Sequence, residues 1–140
     1  TGIPAQARVA RVLVAEDNLV NSRVITALLE SLGCEVTAVH NGAEAVDRAG
    51  DLFDLILLDL HMPQLDGIQA AVEIKGLQQP RERVPFLVAV TADARVDIKR
   101  ACIDAGFDAF VTKPVTRAQL AAVVGQANSA ITEHRPTEDA

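Results

Sequence analysis

Short apolar runs alternate with stretches of helical periodicity along most of this chain. Val12-Leu13-Val14-Ala15 is the first run, and Leu55-Ile56-Leu57-Leu58 and Phe86-Leu87-Val88-Ala89-Val90 are the strongest. None alternates with polar residues, so each reads as a strand buried on both faces. Two weaker strands are expected at Val36 to Val39 and at Ala109-Phe110-Val111. Between the first two strands, Val20, Val24, Leu28 and Leu32 recur at i+4 with Ile25 and Leu29 alongside. That is one face of an amphipathic helix, with Asn18 as N-cap and Gly33 after its C-terminus.

Asn41 and Glu44 have capping-box spacing and open a short helix that ends at Gly50. Asp66 and Gln69 open a third helix carrying Ile68, Val72 and Leu77, and a fourth runs from about Val96 to Ala105 and stops at Gly106. Thr116 and Gln119 repeat the capping-box spacing before Leu120, Val123, Val124 and Ala127. Five βα units in succession predict a three-layer α/β domain, a parallel sheet with helices on both sides. The domain is expected over residues 9–130. Residues 1–8 lack periodicity and read as a linker, and the polar residues 131–140 read as a tail.

Composition adds three constraints. Aromatic residues are 3%, all of them Phe, so the core is built from Val, Leu, Ile and Ala. A net charge of −6 disfavours direct contact with a phosphate backbone and favours a metal ion or a cationic partner. Cys34 and Cys102 lack metal-ligand spacing and read as reduced core residues of a cytoplasmic protein. No apolar run reaches the ~20 residues of a membrane span. Met62 is the sole methionine, so the chain is expected to be a piece of something longer or a processed product.

The chemistry lies at the strand ends. The first strand ends in Glu16-Asp17, the third in Asp59, the fourth in Thr91 and the fifth in Thr112-Lys113-Pro114. In an open parallel sheet these ends share one edge, where ligands bind. Three converging carboxylates repel one another, and a divalent cation relieves that repulsion. Mg²⁺ suits such a set, because it takes one or two carboxylates together with phosphate oxygens. With Lys113, the charges sum to near neutrality and leave room for a phosphoryl group.

Four segments carry a family resemblance: Val14-Ala15-Glu16-Asp17-Asn18, Leu57-Leu58-Asp59-Leu60-His61-Met62-Pro63 with Asp66-Gly67, Val90-Thr91-Ala92, and Val111-Thr112-Lys113-Pro114. Over roughly residues 9 to 130 the chain resembles the receiver domains of two-component response regulators, and Glu16 to Asn21 are most similar to those of hybrid sensor histidine kinases. The resemblance implies a doubly wound, flavodoxin-like fold with strand order 2-1-3-4-5. It implies phosphorylation of Asp59 by a histidine kinase phosphohistidine domain or a histidine-containing phosphotransfer protein.

It further implies that Glu16 and Asp17 form the acidic pair of a Mg²⁺ site, with Asp17, Asp59 and the backbone carbonyl of His61 as ligands. Thr91 is then the switch hydroxyl, Phe110 the aromatic switch, and Lys113 the contact to phosphoryl oxygens, before a cis bond to Pro114. The side chains of His61 and Asp93 are expected to modulate hydrolysis. Such a domain catalyses its own phosphorylation and dephosphorylation. His40 and His134 read as ordinary surface residues. An aspartate-nucleophile phosphatase would need a second Asp where His61 stands, and a flavin module would need a hydroxyl-rich loop where Glu16 and Asp17 stand.

Overall fold

A computed structural model of the protein describes residues 9–62, 65–77 and 85–134. The linker expected at 1–8 and the end of the expected tail, 135–140, lie outside the described residues. The elements run β1 (Arg11–Ala15), α1 (Leu19–Ser31), β2 (Glu35–Val39), α2 (Gly42–Ala49), β3 (Leu55–Asp59), α3 (Gly67–Lys75), β4 (Phe86–Thr91), α4 (Val96–Ala105), β5 (Ala109–Thr112) and α5 (Arg117–His134). The sheet is parallel throughout, in the order β2-β1-β3-β4-β5. The boundary expected at residue 130 falls inside α5, which continues through 131–134.

Side chains alternate across the sheet and make two cores. Leu13, Ile56, Leu58, Leu87 and Ala89 pack towards α2, α3 and α4. Val12, Val14, Leu55, Leu57, Val88 and Val90 pack towards α1 and α5. Cys102 belongs to the first core and Cys34 to the second, both unbonded. Burial pushes both thiols above their ordinary range.

The expected caps form. Asn18 accepts from the Asn21 N–H at 3.0 Å, Asn41 from Glu44 at 2.8 Å and Asp66 from Gln69 at 2.9 Å. Thr116 and Gln119 bond reciprocally, at 2.8 Å and 3.2 Å. Gly33 and Gly106 follow α1 and α4 with positive φ of 91° and 104°, which closes each helix.

Two helix faces differ from expectation. In α1 the buried residues are Ser22, Ile25 and Leu29, whereas Val20 is 70% exposed and Val24 47%. A strict i+4 row drifts about 40° per step around a helix of 3.6 residues per turn, so it cannot keep one face to the sheet. In α3 the buried residues are Gly67, Ala70, Ala71 and Ile74, while Val72 lies exposed and Leu77, expected on this helix, falls beyond its end at Lys75. Small alanines let this helix seat closely on β3, and the larger Val72 points away.

Candidate functional site

Strand register builds the site. Ala15 of β1 pairs with Leu58 of β3, so the next residues, Glu16 and Asp59, stand side by side where the strands end. Thr91 pairs with Thr112 on the other flank, and Lys113 follows directly. Its N–H donates to the Thr91 carbonyl at 2.8 Å, and the Lys113–Pro114 bond is cis.

Glu16 and Asp59 are 1% and 2% exposed, and Asp17, one residue on, is exposed. One oxygen from each of the three lies within 4.8 Å of the others. The Lys113 ammonium donates to Asp59 Oδ2 at 2.9 Å and lies 3.3 Å from Glu16 Oε1. The His61 N–H donates to Asp59 Oδ1 at 3.0 Å, so both oxygens of Asp59 are oriented. The Asn18 N–H donates to Glu16 Oε2 at 3.2 Å.

Glu16 Oε1 is the one buried side-chain polar atom, among the described residues, without a hydrogen-bond partner. The lysine is at ion-pair distance from it but outside hydrogen-bonding geometry. Burial raises the Glu16 carboxyl from 4.5 to about 7, and the adjacent Asp59 carboxylate adds to the rise. For Lys113, burial opposes the charge, but the hydrogen bond and charge of Asp59, with Glu16 behind, outweigh it and raise its pKa. The site is thus short of positive charge on its carboxylate side. A divalent cation fits that deficit in donor type and charge, and Glu16 Oε1 leaves it an unused oxygen.

Behind the site, Gly67 opens α3 directly against the backbone of Asp59 and Leu60. A Cβ there would overlap the Asp59 carbonyl oxygen and approach the Leu60 Cα to 2.9 Å. Gly67 therefore lets α3 close under the loop that follows β3.

The remaining predicted residues flank this cluster. Thr91 is fully buried, and its hydroxyl accepts from the Asp93 N–H at 3.1 Å. The His61 side chain is exposed. Phe110 is half-buried against the α2–α4 core, with the Lys99 ammonium 5.6 Å from its ring centroid. His40 is exposed, as expected, yet its Nδ1 lies 3.3 Å from the Glu16 carbonyl oxygen. His134 carries no described side chain. Sequence reasoning missed Arg95, which grips Asp93 through both carboxylate oxygens. No motif marks that arginine.

The family model for the response regulator receiver domain matches residues 12–125. The chain belongs to that family. As a receiver domain it acts in two-component phosphorelay signalling. Over 125 residues it is 40% identical to the sensor protein GacS of Pseudomonas syringae pv. syringae, a match covering 88% of this chain and 14% of that protein. Over 122 residues it is 34% identical to hybrid signal transduction histidine kinase L of Dictyostelium discoideum, covering 81% of this chain and 7% of the relative. The chain therefore spans only a small fraction of these kinases' length.

Among solved structures, the receiver domain of the sensor histidine kinase PA1611 from Pseudomonas aeruginosa superposes with a TM-score of 0.77 at 36% identity. That match covers 86% of this chain and 98% of the other, whose active-site cleft holds a magnesium ion. Among the described residues of this receiver domain, no helix is long and apolar enough to cross a membrane.

Proposed function

We propose that Asp59 is the phosphoacceptor, with Glu16, Asp17 and the His61 carbonyl completing a Mg²⁺ site beside it. One observation carries the reading: three carboxylates, two of them buried, meet a single lysine and leave a buried oxygen unanswered. Bound there, Mg²⁺ would neutralise charge on the transferring oxygens.

The protein's own groups do the rest. Lys113 and the His61 N–H hold the two Asp59 oxygens, which fixes the carboxylate for in-line attack. An oxygen of Asp59 forms a bond to phosphorus as the P–N bond of phosphohistidine breaks, and that electron pair returns to the imidazole. Lys113 then follows the charge onto a phosphoryl oxygen. The Thr91 hydroxyl exchanges the Asp93 N–H for another phosphoryl oxygen, and Phe110 turns inward, altering the α4-β5-α5 face. Moving such an equilibrium from mostly off to mostly on takes about 5 kcal/mol of differential stabilisation.

The phosphodonor is a histidine-containing domain of the parent kinase or a phosphotransfer protein, acting on the cytoplasmic side. A cleft of about 460 Å³ between α1 and the loop after β5 supports this, lined by Glu16, Val24, Ile25, Lys113 and Pro114 among others. Val24 in that lining is exposed, and exposed Val20 lies one turn before it on α1. In this reading the receiver domain begins at about residue 9 and runs through the last turn of α5 at 134 rather than ending at 130.

Incubation with a small phosphodonor and Mg²⁺, followed by intact mass, tests the acceptor. One added phosphoryl group is expected, lost in Asp59→Asn and with chelator. An unchanged mass under conditions that label another receiver domain overturns the reading.

A further inference from the structure

Between β4 and α4 the chain makes a short relay of bonds. The Asp93 N–H donates to the Thr91 hydroxyl, and Asp93 Oδ1 accepts from the Arg95 N–H at 3.1 Å. The Arg95 Nε bonds both Asp93 oxygens at 3.0 Å, and a terminal guanidinium nitrogen reaches Oδ2 at 2.8 Å. Both oxygens of Asp93 are thereby engaged by Arg95. Arg95 opens α4 without a side-chain capping bond of its own, so its side chain serves the loop rather than the helix end.

The pair is exposed and adds little to folding. Its consequence is positional. Asp93 sits two residues beyond the buried Thr91 and is tied by its N–H to the Thr91 hydroxyl, on the same sheet edge where the His61 N–H holds Asp59. Released from Arg95, the Asp93 carboxylate has the crevice mouth as its alternative, where it can accept a proton from a water approaching the phosphoryl group.

We propose that Arg95 is a positioning residue that restrains Asp93 at the start of α4 and thereby lengthens the life of the phosphorylated form. This rests on Asp59 being the acceptor. The step restrained is hydrolysis: water oxygen bonds to phosphorus, the bond between phosphorus and the Asp59 oxygen breaks, and the electron pair returns to the Asp59 carboxylate. The water proton passes to Asp93 and on to solvent.

The test loads the domain with acetyl phosphate and Mg²⁺, removes the donor, and follows loss of the phosphoryl mass. Direct general-base help is typically worth 10²–10⁴-fold, so an unrestrained, unoptimised carboxylate is expected to shorten the half-life about three- to tenfold in Arg95→Gln. Asp93→Asn and the double variant should match each other, because Arg95 acts only through that carboxylate. Arg95→Lys, which keeps one charged contact, should fall between wild type and Arg95→Gln. A purely structural role for Arg95 would leave its effect intact in the Asp93→Asn background. That result overturns the proposal, as does normal labelling with an unchanged half-life in Arg95→Gln. No label on the unsubstituted chain would instead remove the acceptor reading, and this inference with it.

Discussion

Two buried aspartates stand at opposite ends of β3 and live in opposite surroundings. Asp54, 6% exposed just before the strand, accepts from the backbone N–H groups of Ala10 and Arg11 at 2.9 and 3.1 Å. Its own N–H and carbonyl bond Arg11 and Phe86, so it ties three strands together at the sheet's N-terminal rim. Asp59, 2% exposed at the C-terminal rim, faces Glu16 and Asp17. At one rim, backbone dipoles answer a carboxylate and the result is a clamp. At the other, carboxylates crowd round one lysine, and the result is a site short of positive charge.

The comparison breaks first on stability. Asp54→Ala should cost about 2 kcal/mol, because two part-buried backbone N–H groups lose a charged partner. Urea midpoints measure this, and a loss below about 1 kcal/mol would mean that the clamp is incidental. The folded fraction of that variant should still label.

Asp59→Asn sharpens the contrast. It should leave the chelated domain at least as stable as wild type, because it removes a source of repulsion while Lys113 keeps Glu16. Labelling, by contrast, should vanish. A marked fall in the urea midpoint would show that Asp59 is structural after all.

The smallest effect is a pH slope. Glu16 titrates at about 7 in the folded chain against 4.5 ordinarily. Between those values the folded state holds a proton that the unfolded state has released. Stability in chelator should therefore fall as pH rises through this window and level off above it. Apparent Mg²⁺ affinity should rise over the same interval, since metal and proton compete for the carboxylate. Asp59→Asn should flatten the slope, because Asp59 is among its causes. A chelated domain equally stable at pH 5 and pH 7.5 would count against the shift.

The sequence by itself determined the order of elements, their caps and the residues at the strand ends. Those signals are local: apolar runs for buried strands, Asn41 and Glu44 three apart for a helix start, and acids immediately after Val14-Ala15. Only the tertiary structure decided the rest. Periodicity gave α1 an apolar stripe but left open which row meets the sheet, and the fold chose Ile25 and Leu29 over Val20 and Val24. The unanswered oxygen of Glu16 and the clamp at Asp54 depend on register and burial. Electrostatic environment follows distance in space, and residues far apart along the chain acquire that distance only when the strands pair.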